Sequence, residues 1–309
     1  MTRVAILTIQ GCNMGSFLQG YALKTYLEHL GHRASFIPTI SRFVPAAFSS
    51  FDLAFDLKKI ATFYRAWRSI NRSVLDRRHE TVVVGSDIVW HKTMPTIFSG
   101  YGIANKRVIA YAPSCGETTY TEIPPIRRES IRRMARLSAR DTNTADIVEQ
   151  ITGTRPPIVM DPTFLIDWTR HEHPAAERCP YILVYSYNGS KPLRAEAFRR
   201  KTETGYELLS VGNYLYWCDR SIPDAHPLQF LSYVRNAEYI LTDTYHGTIF
   251  SLIYRRPFTA YPLNHKTNDL LAFLGIGPGT SVHRFETIYP PIYDRLRESK
   301  KYLMEAVPP

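Results

Sequence analysis

A histidine, two aspartates and an arginine of this chain stand where apolar runs give way to polar turns. The most suggestive junction is Asp243-Thr244-Tyr245-His246-Gly247. Residues 228–235 have helical spacing, 239–242 are a short apolar run, and 248–254 read as a second helix stopped by Pro257. The pentad between run and helix reads as a polar turn. A strand that leads through such a turn into a helix is where open α/β sheets bind ligands. The free N–H groups at the helix start favour an anion, so His246 is placed to meet a phosphate or a carboxylate.

Similar junctions precede it. Residues 3–9 read as a buried parallel strand, 10–16 as a polar loop, and the next stretch as a helix carrying Phe17, Leu18, Tyr21, Ala22, Tyr26 and Leu27 and ending at Gly31. With a strand at 32–37 this is a βαβ start, although its glycine spacing is not that of a dinucleotide site. Asn13 in the loop either touches a ligand or shapes the turn. Residues 81–84 run into Gly85-Ser86-Asp87, with His91 shortly behind near the cleft entrance. Asp87 is either a helix N-cap or a site residue. A strand at 108–111, an arginine-rich helix at 126–134 and a strand at 156–160 complete the first half. Between them, Arg140-Asp141 is either functional or a capping ion pair ahead of a helix at 144–152, for which Thr144 is the expected N-cap. Asp161, at a strand end, reads as structural.

With 309 residues, two domains are expected, and 44% hydrophobic content is ample for their cores. Residues 1–167 and 181–309 each show an α/β pattern. Residues 168–180 lack apolar periodicity and read as a solvated linker. Its His171, Glu172 and His173 have metal-ligand chemistry, but a linker fits their surroundings better. The closing helix, 294–305, is expected to pack back on the first domain. A formal net charge of +10 suits anionic partners such as phosphorylated metabolites, nucleic acid or an acidic membrane surface. Residues 58–78 read as a basic helix, either docked with a solvated basic face, or lying on an anionic membrane or binding nucleic acid. Phe43, Phe48, Phe51 and Phe55 fall in an irregular stretch that reads as a flap over the cleft or a wrap. Four scattered cysteines, no signal-peptide pattern and no apolar run near the roughly 18–20 residues that span a bilayer point to a reduced, cytoplasmic protein.

Together these junctions resemble the polysaccharide pyruvyl transferase family. Five segments match its pattern in order: Asn13 to Leu23, Val84-Gly85-Ser86-Asp87 with Trp90, Ser138 with Arg140-Asp141, Asp161-Pro162-Thr163, and Thr244-Tyr245-His246-Gly247. The resemblance implies two Rossmann-like α/β domains facing a cleft, similar to the B-type glycosyltransferase fold. It implies transfer of pyruvate from phosphoenolpyruvate to two hydroxyls of one sugar, forming a cyclic ketal on a surface polysaccharide or its precursor, such as a capsule or exopolysaccharide. No cofactor is implied beyond phosphoenolpyruvate as co-substrate.

In that chemistry a general acid protonates the enol carbon, and a sugar hydroxyl attacks the cationic centre. Histidine, whose ordinary titration lies near neutrality, suits the acid role, which falls to His246. Arg140 suits the donor's carboxylate and phosphate because its fork matches both. The start of the helix at Gly247 and Thr248 adds N–H donors, and Thr244 belongs to the same wall. Asp87 accepts a proton from the sugar or binds its hydroxyl, with Asn13, Ser86 and His91 on the acceptor side. Some members carry an arginine where Thr244 stands here; Lys266, Arg255 or an arginine of the other domain is the expected substitute. The Thr267-Asn268-Asp269-Leu270 segment lacks a further arginine that often follows.

Two other functions compete. A glycosyltransferase of the same fold would use a nucleotide-sugar donor. A nucleic-acid-binding protein would account for the charge, but the basic residues are not interleaved with a recognised nucleic-acid motif. A lipid-linked acceptor would give the basic helix a place on the inner membrane face.

Overall fold

The structure, a computed structural model, describes residues 1–39, 53–70, 75, 77–175 and 179–308. The chain begins with β1 (Arg3–Leu7), α1 (Met14–His29), β2 (Arg33–Phe36), α2 (Leu53–Ser69), β3 (Thr81–Val84), β4 (Arg107–Ala110), α3 (Pro125–Arg132) and α4 (Thr142–Thr152). Its four strands form a parallel sheet in the order β2-β1-β3-β4. The second half contributes β5 (Tyr181–Tyr185), α5 (Lys191–Thr204), β6 (Glu207–Val211), β7 (Arg220–Ile222), α6 (Pro227–Asn236), β8 (Tyr239–Thr242), α7 (Tyr245–Ile253), β9 (Phe258–Ala260), α8 (His265–Phe273), β10 (Ser281–Val282) and α9 (Tyr289–Ala306). They form a six-stranded sheet, β10-β9-β8-β5-β6-β7, antiparallel only at β10. β3 and β8 are buried at every residue, which is why both read as unbroken apolar runs.

In each sheet the strand order reverses once, between β1 and β3 and between β5 and β8. The loops leaving the carboxyl ends of those strands diverge there and leave a crevice. Asn13, Asp87, Tyr187 and His246 all follow such strand ends. One apolar core passes through both sheets, joining Val4, Phe17 and Trp67 to Leu183, Tyr185 and Phe230. α9 returns to the first sheet: Ser299 Oγ accepts from Met160 N–H, Tyr302 donates to the Ala110 carbonyl, and Arg107 donates to that of Ala306.

Several local expectations are corrected. The basic helix covers Leu53–Ser69 rather than 58–78, and its Phe63, Ala66 and Trp67 are buried. Trp67 Nε1 donates to the Gly11 carbonyl, docking the helix on the loop after β1. Residues 156–160 form no strand, only an isolated bridge between Ala139 and Ile158. Asp141, not Thr144, caps α4, accepting from Thr144 N–H at 2.8 Å. Residues 168–175 are largely exposed at Thr169, Arg170, His173 and Pro174, but several of their rings make contacts. Trp168 is buried and donates to the Thr163 carbonyl, His171 meets the Tyr21 hydroxyl, and His173 stacks on His226. Indole and imidazole rings in this stretch give it apolar area that a periodicity count does not register. Phe43, Phe48 and Phe51 lie outside the described residues.

Candidate active site

α7 begins earlier than the apolar spacing suggested. Thr244 is its N-cap, with Oγ1 accepting from Gly247 N–H at 3.0 Å, so His246 lies in the first helical turn rather than in a loop. Opposite, Asn13 caps α1 in the same way, accepting from Ser16 N–H at 3.0 Å. The two helix starts meet. A Cβ on Gly15 would overlap His246 Nδ1, so the ring occupies the hollow left by the missing side chain. On the ring's other side, Nε2 lies 3.6 Å from Asp161 Oδ2.

Asp161 is buried and held on all sides. Its Oδ1 accepts from the Thr163 N–H and hydroxyl, and its Oδ2 takes Arg140 Nη1 at 3.1 Å. Burial pushes its carboxyl up, but His246, Arg140 and the Thr163 N–H outweigh burial and hold it well below the usual range. An ionised carboxylate 3.6 Å from one imidazole nitrogen helps to orient the ring. The sequence reading of Asp161 as structural missed this contact; its place in the Asp-Pro-Thr segment was the available signal.

His246, Asp87, Asn13 and Lys266 line one cavity of about 490 Å³ between the two sheets, together with Cys12, Ser16, Lys59, Tyr187, Asn188 and Asn213. Asp87 accepts from the Ser16 hydroxyl at 2.5 Å and from Ile88 N–H at 2.8 Å. Burial raises its pKa, but Lys266, Arg140, His246 and the Ser16 hydroxyl together lower it below the usual value. A carboxylate held that acidic suits binding a hydroxyl better than removing its proton. Asn13 also spans the cleft, donating to the Tyr187 hydroxyl at 2.7 Å. Burial and the nearby Arg140 lower the pKa of Lys266, while Asp87, Asp141 and Asp161 oppose them.

The remaining predicted residues lie elsewhere. Arg140 stands behind the cavity, its guanidinium 5.0 Å from the Tyr245 ring and 3.8 Å from Asp87, with Nε and Nη2 lacking hydrogen-bond partners among the described residues. With Lys266 and Arg295 it lines an adjoining cavity of about 290 Å³. Ser86 is fully buried and donates to the Ala112 carbonyl, away from the cavity lining. His91 pairs with Thr93 and is absent from the cavity lining. The N–H groups expected to bind an anion are already engaged: that of Gly247 by the Thr244 hydroxyl and that of Thr248 by the Thr244 carbonyl. Thr244 therefore serves its own helix. Arg255 pairs with the Tyr293 hydroxyl at the surface. Lys59, which arrives from α2, went unnoticed because a basic helix reads first as a surface feature.

Among the described residues no group of three or more His, Cys, Asp or Glu side chains is placed to hold a metal, and no helix is long and apolar enough to cross a membrane.

Two α/β sheets with a cleft at their switch points define the class, and solved structures share it. UDP-GlcNAc 2-epimerase from Neisseria meningitidis, bound to UDP-GlcNAc, aligns with a TM-score of 0.56 at 9% identity, covering 99% of each chain. A putative UDP-N-acetylglucosamine 2-epimerase from Listeria monocytogenes aligns with a TM-score of 0.55 at 12% identity, covering 100% of this chain and 92% of that one. At such identities the likeness speaks for fold alone. No curated protein matches the chain. The family signal lies in the sequence: residues 13–265 match the polysaccharide pyruvyl transferase family. The chain belongs to that family, which makes it an enzyme of pyruvyl transfer to polysaccharide.

Proposed function

We propose that the protein transfers pyruvate from phosphoenolpyruvate to two hydroxyls of one sugar, forming a cyclic ketal and releasing phosphate. The observation that carries this is the His246–Asp161 pair at the edge of a cavity that also holds Asp87 and two lysines. His246, oriented by Asp161, donates a proton to the enol CH₂ carbon. A sugar hydroxyl oxygen bonds to the adjacent carbon and its proton returns to His246, the phosphate leaves with its C–O electron pair, and the second hydroxyl closes the ketal, its proton going to the departing phosphate. Asp87 and Asn13 hold the sugar, and Lys266 holds an anionic group of the donor. Phosphate release from phosphoenolpyruvate, measured with galactose-, mannose- and hexosamine-containing acceptors, tests the reading. Acceptor-dependent release is expected; its absence with every acceptor overturns it.

The Neisseria meningitidis fold neighbour bound to UDP-GlcNAc supports a second reading, a nucleotide-sugar donor. Thermal protection by UDP and none by phosphoenolpyruvate would favour that reading. The acceptor belongs to a surface polysaccharide or its lipid-linked precursor. In the second case the exposed Lys58, Arg65 and Arg68 of α2 face the cytoplasmic leaflet. Replacing Arg65 and Arg68 by Gln should then weaken binding to anionic liposomes and leave folding intact; unchanged binding rejects the contact. Arg72, which belongs to the same basic run, lies outside the described residues.

A further inference from the structure

The family resemblance leaves this chain without a cation at Thr244, and the described structure brings one from an unexpected direction. Lys59 is only 7% exposed, although it sits on a helix whose other basic residues face outward. Its ammonium leaves the first unit and donates to the Gly212 carbonyl at 2.7 Å and to Asn213 Oδ1 at 3.1 Å, both in the second. Both acceptors are neutral. No carboxylate among the described residues lies within ion-pair distance of it; burial lowers its pKa, and Cys12 and then Asp56 only partly oppose that. An ammonium has three N–H donors, so one remains after these two bonds, and the residue lines the cavity that holds His246 and Lys266.

Taking an ammonium out of water without a counter-ion is costly. The arrangement gains most when an anion enters the cavity. Lys59 and Lys266 come from helices of different units, so an anionic donor between them would be held by both.

We propose that Lys59 binds an oxyanion of the donor, either its carboxylate or its phosphate, and takes the place of the arginine absent at Thr244. This rests on the donor assignment above for its substrate, but not for the existence of the anion site. It also explains why a lysine is buried on an otherwise exposed basic helix.

The test uses the full chain with Lys59→Met, which keeps length and loses charge, and Lys59→Arg, which keeps charge. The KM for phosphoenolpyruvate should rise at least about tenfold in Lys59→Met, as expected for loss of a charged hydrogen bond. The acceptor KM should stay unchanged, and Lys59→Arg should recover part of the donor affinity. A lysine that merely clamps the two units would lower kcat and weaken donor and acceptor alike, without rescue by arginine; that result overturns the proposal. Thermal protection by inorganic phosphate and by pyruvate, each alone, is measured in parallel, and loss of whichever protects in Lys59→Met identifies the group held. If wild type consumes no phosphoenolpyruvate yet an anion protects it through Lys59, the site stands and the donor assignment falls. If wild type turns over and Lys59→Met leaves both donor KM and protection unchanged, the donor assignment stands and this proposal falls.

Discussion

The starts of α1 and α7 face each other across the cleft, built alike and used differently. Each is capped by a polar side chain that accepts from the backbone N–H three residues on: Asn13 from Ser16, and Thr244 from Gly247. Two residues after each cap the helices touch, Gly15 against His246. One helix presents the ring that can move a proton, and the other presents the hollow that receives it. The glycines differ in the same way. Gly15 makes room for a residue of the opposite unit. Gly247 lies against Thr242 and Thr244 of its own unit, where a Cβ would overlap the Thr242 hydroxyl. A capped helix start is thus a means of aiming a side chain, and which start carries the chemistry depends on the residue two places after the cap.

The largest effect should come from the ring itself. His246→Ala is expected to lower phosphate release by about 10²- to 10⁴-fold, the usual value of a positioned proton donor, while thermal unfolding stays close to wild type. Equal loss of fold and activity would demote the histidine to a packing role.

Asp161→Asn comes next, because it acts on two partners. It removes the charge facing His246 and leaves the buried Arg140 with only the more distant Asp87. Urea unfolding should show a loss of about 3 kcal/mol at neutral pH. The wild-type carboxyl is held below its ordinary 3.8, so its stabilisation is full above that value and is lost as pH falls through the folded-state pKa. The variant should therefore lose less stability than wild type on acidification, which unfolding at stepped pH would show.

Gly15→Ala separates packing from chemistry. Alanine favours a helix over glycine by about 0.5–1 kcal/mol, which offsets part of the crowding. The new Cβ nevertheless displaces the His246 ring, and a shift near 1 Å is expected to cost about 10²-fold in turnover. Full activity in this variant would mean that the observed ring position is not the working one.

The smallest effect should be Thr244→Ala. Loss of the cap should cost about 1 kcal/mol of stability with donor KM unchanged, because the hydroxyl serves its helix. Asn13→Ala should cost a similar amount and also raise the acceptor KM, since Asn13 lines the cavity and bonds to Tyr187. If the two variants behave alike in kinetics, the asymmetry of the two helix starts is wrong.

Much of this was legible along the chain. The apolar runs at β1, β3 and β8 marked the strands, because strands buried on both faces carry few polar residues. The polar turns after them carried Asn13, Asp87 and His246, and those three meet in one cavity. The boundaries were less legible where capping decided them. Thr244 begins its helix earlier than apolar spacing suggests, since a cap is one hydrogen bond and not a periodicity.

What the sequence determined alone was local: which runs are buried, which turns are polar, and the ordered motifs that mark the family. The tertiary structure decided the pairing of Asp161 with His246, the retreat of Ser86 and His91 from the cavity, and the arrival of Lys59. Each of these depends on side chains brought together from distant segments of the chain. Whether a charge faces water, a carboxylate or a cavity is set by those encounters, which no short window of residues contains.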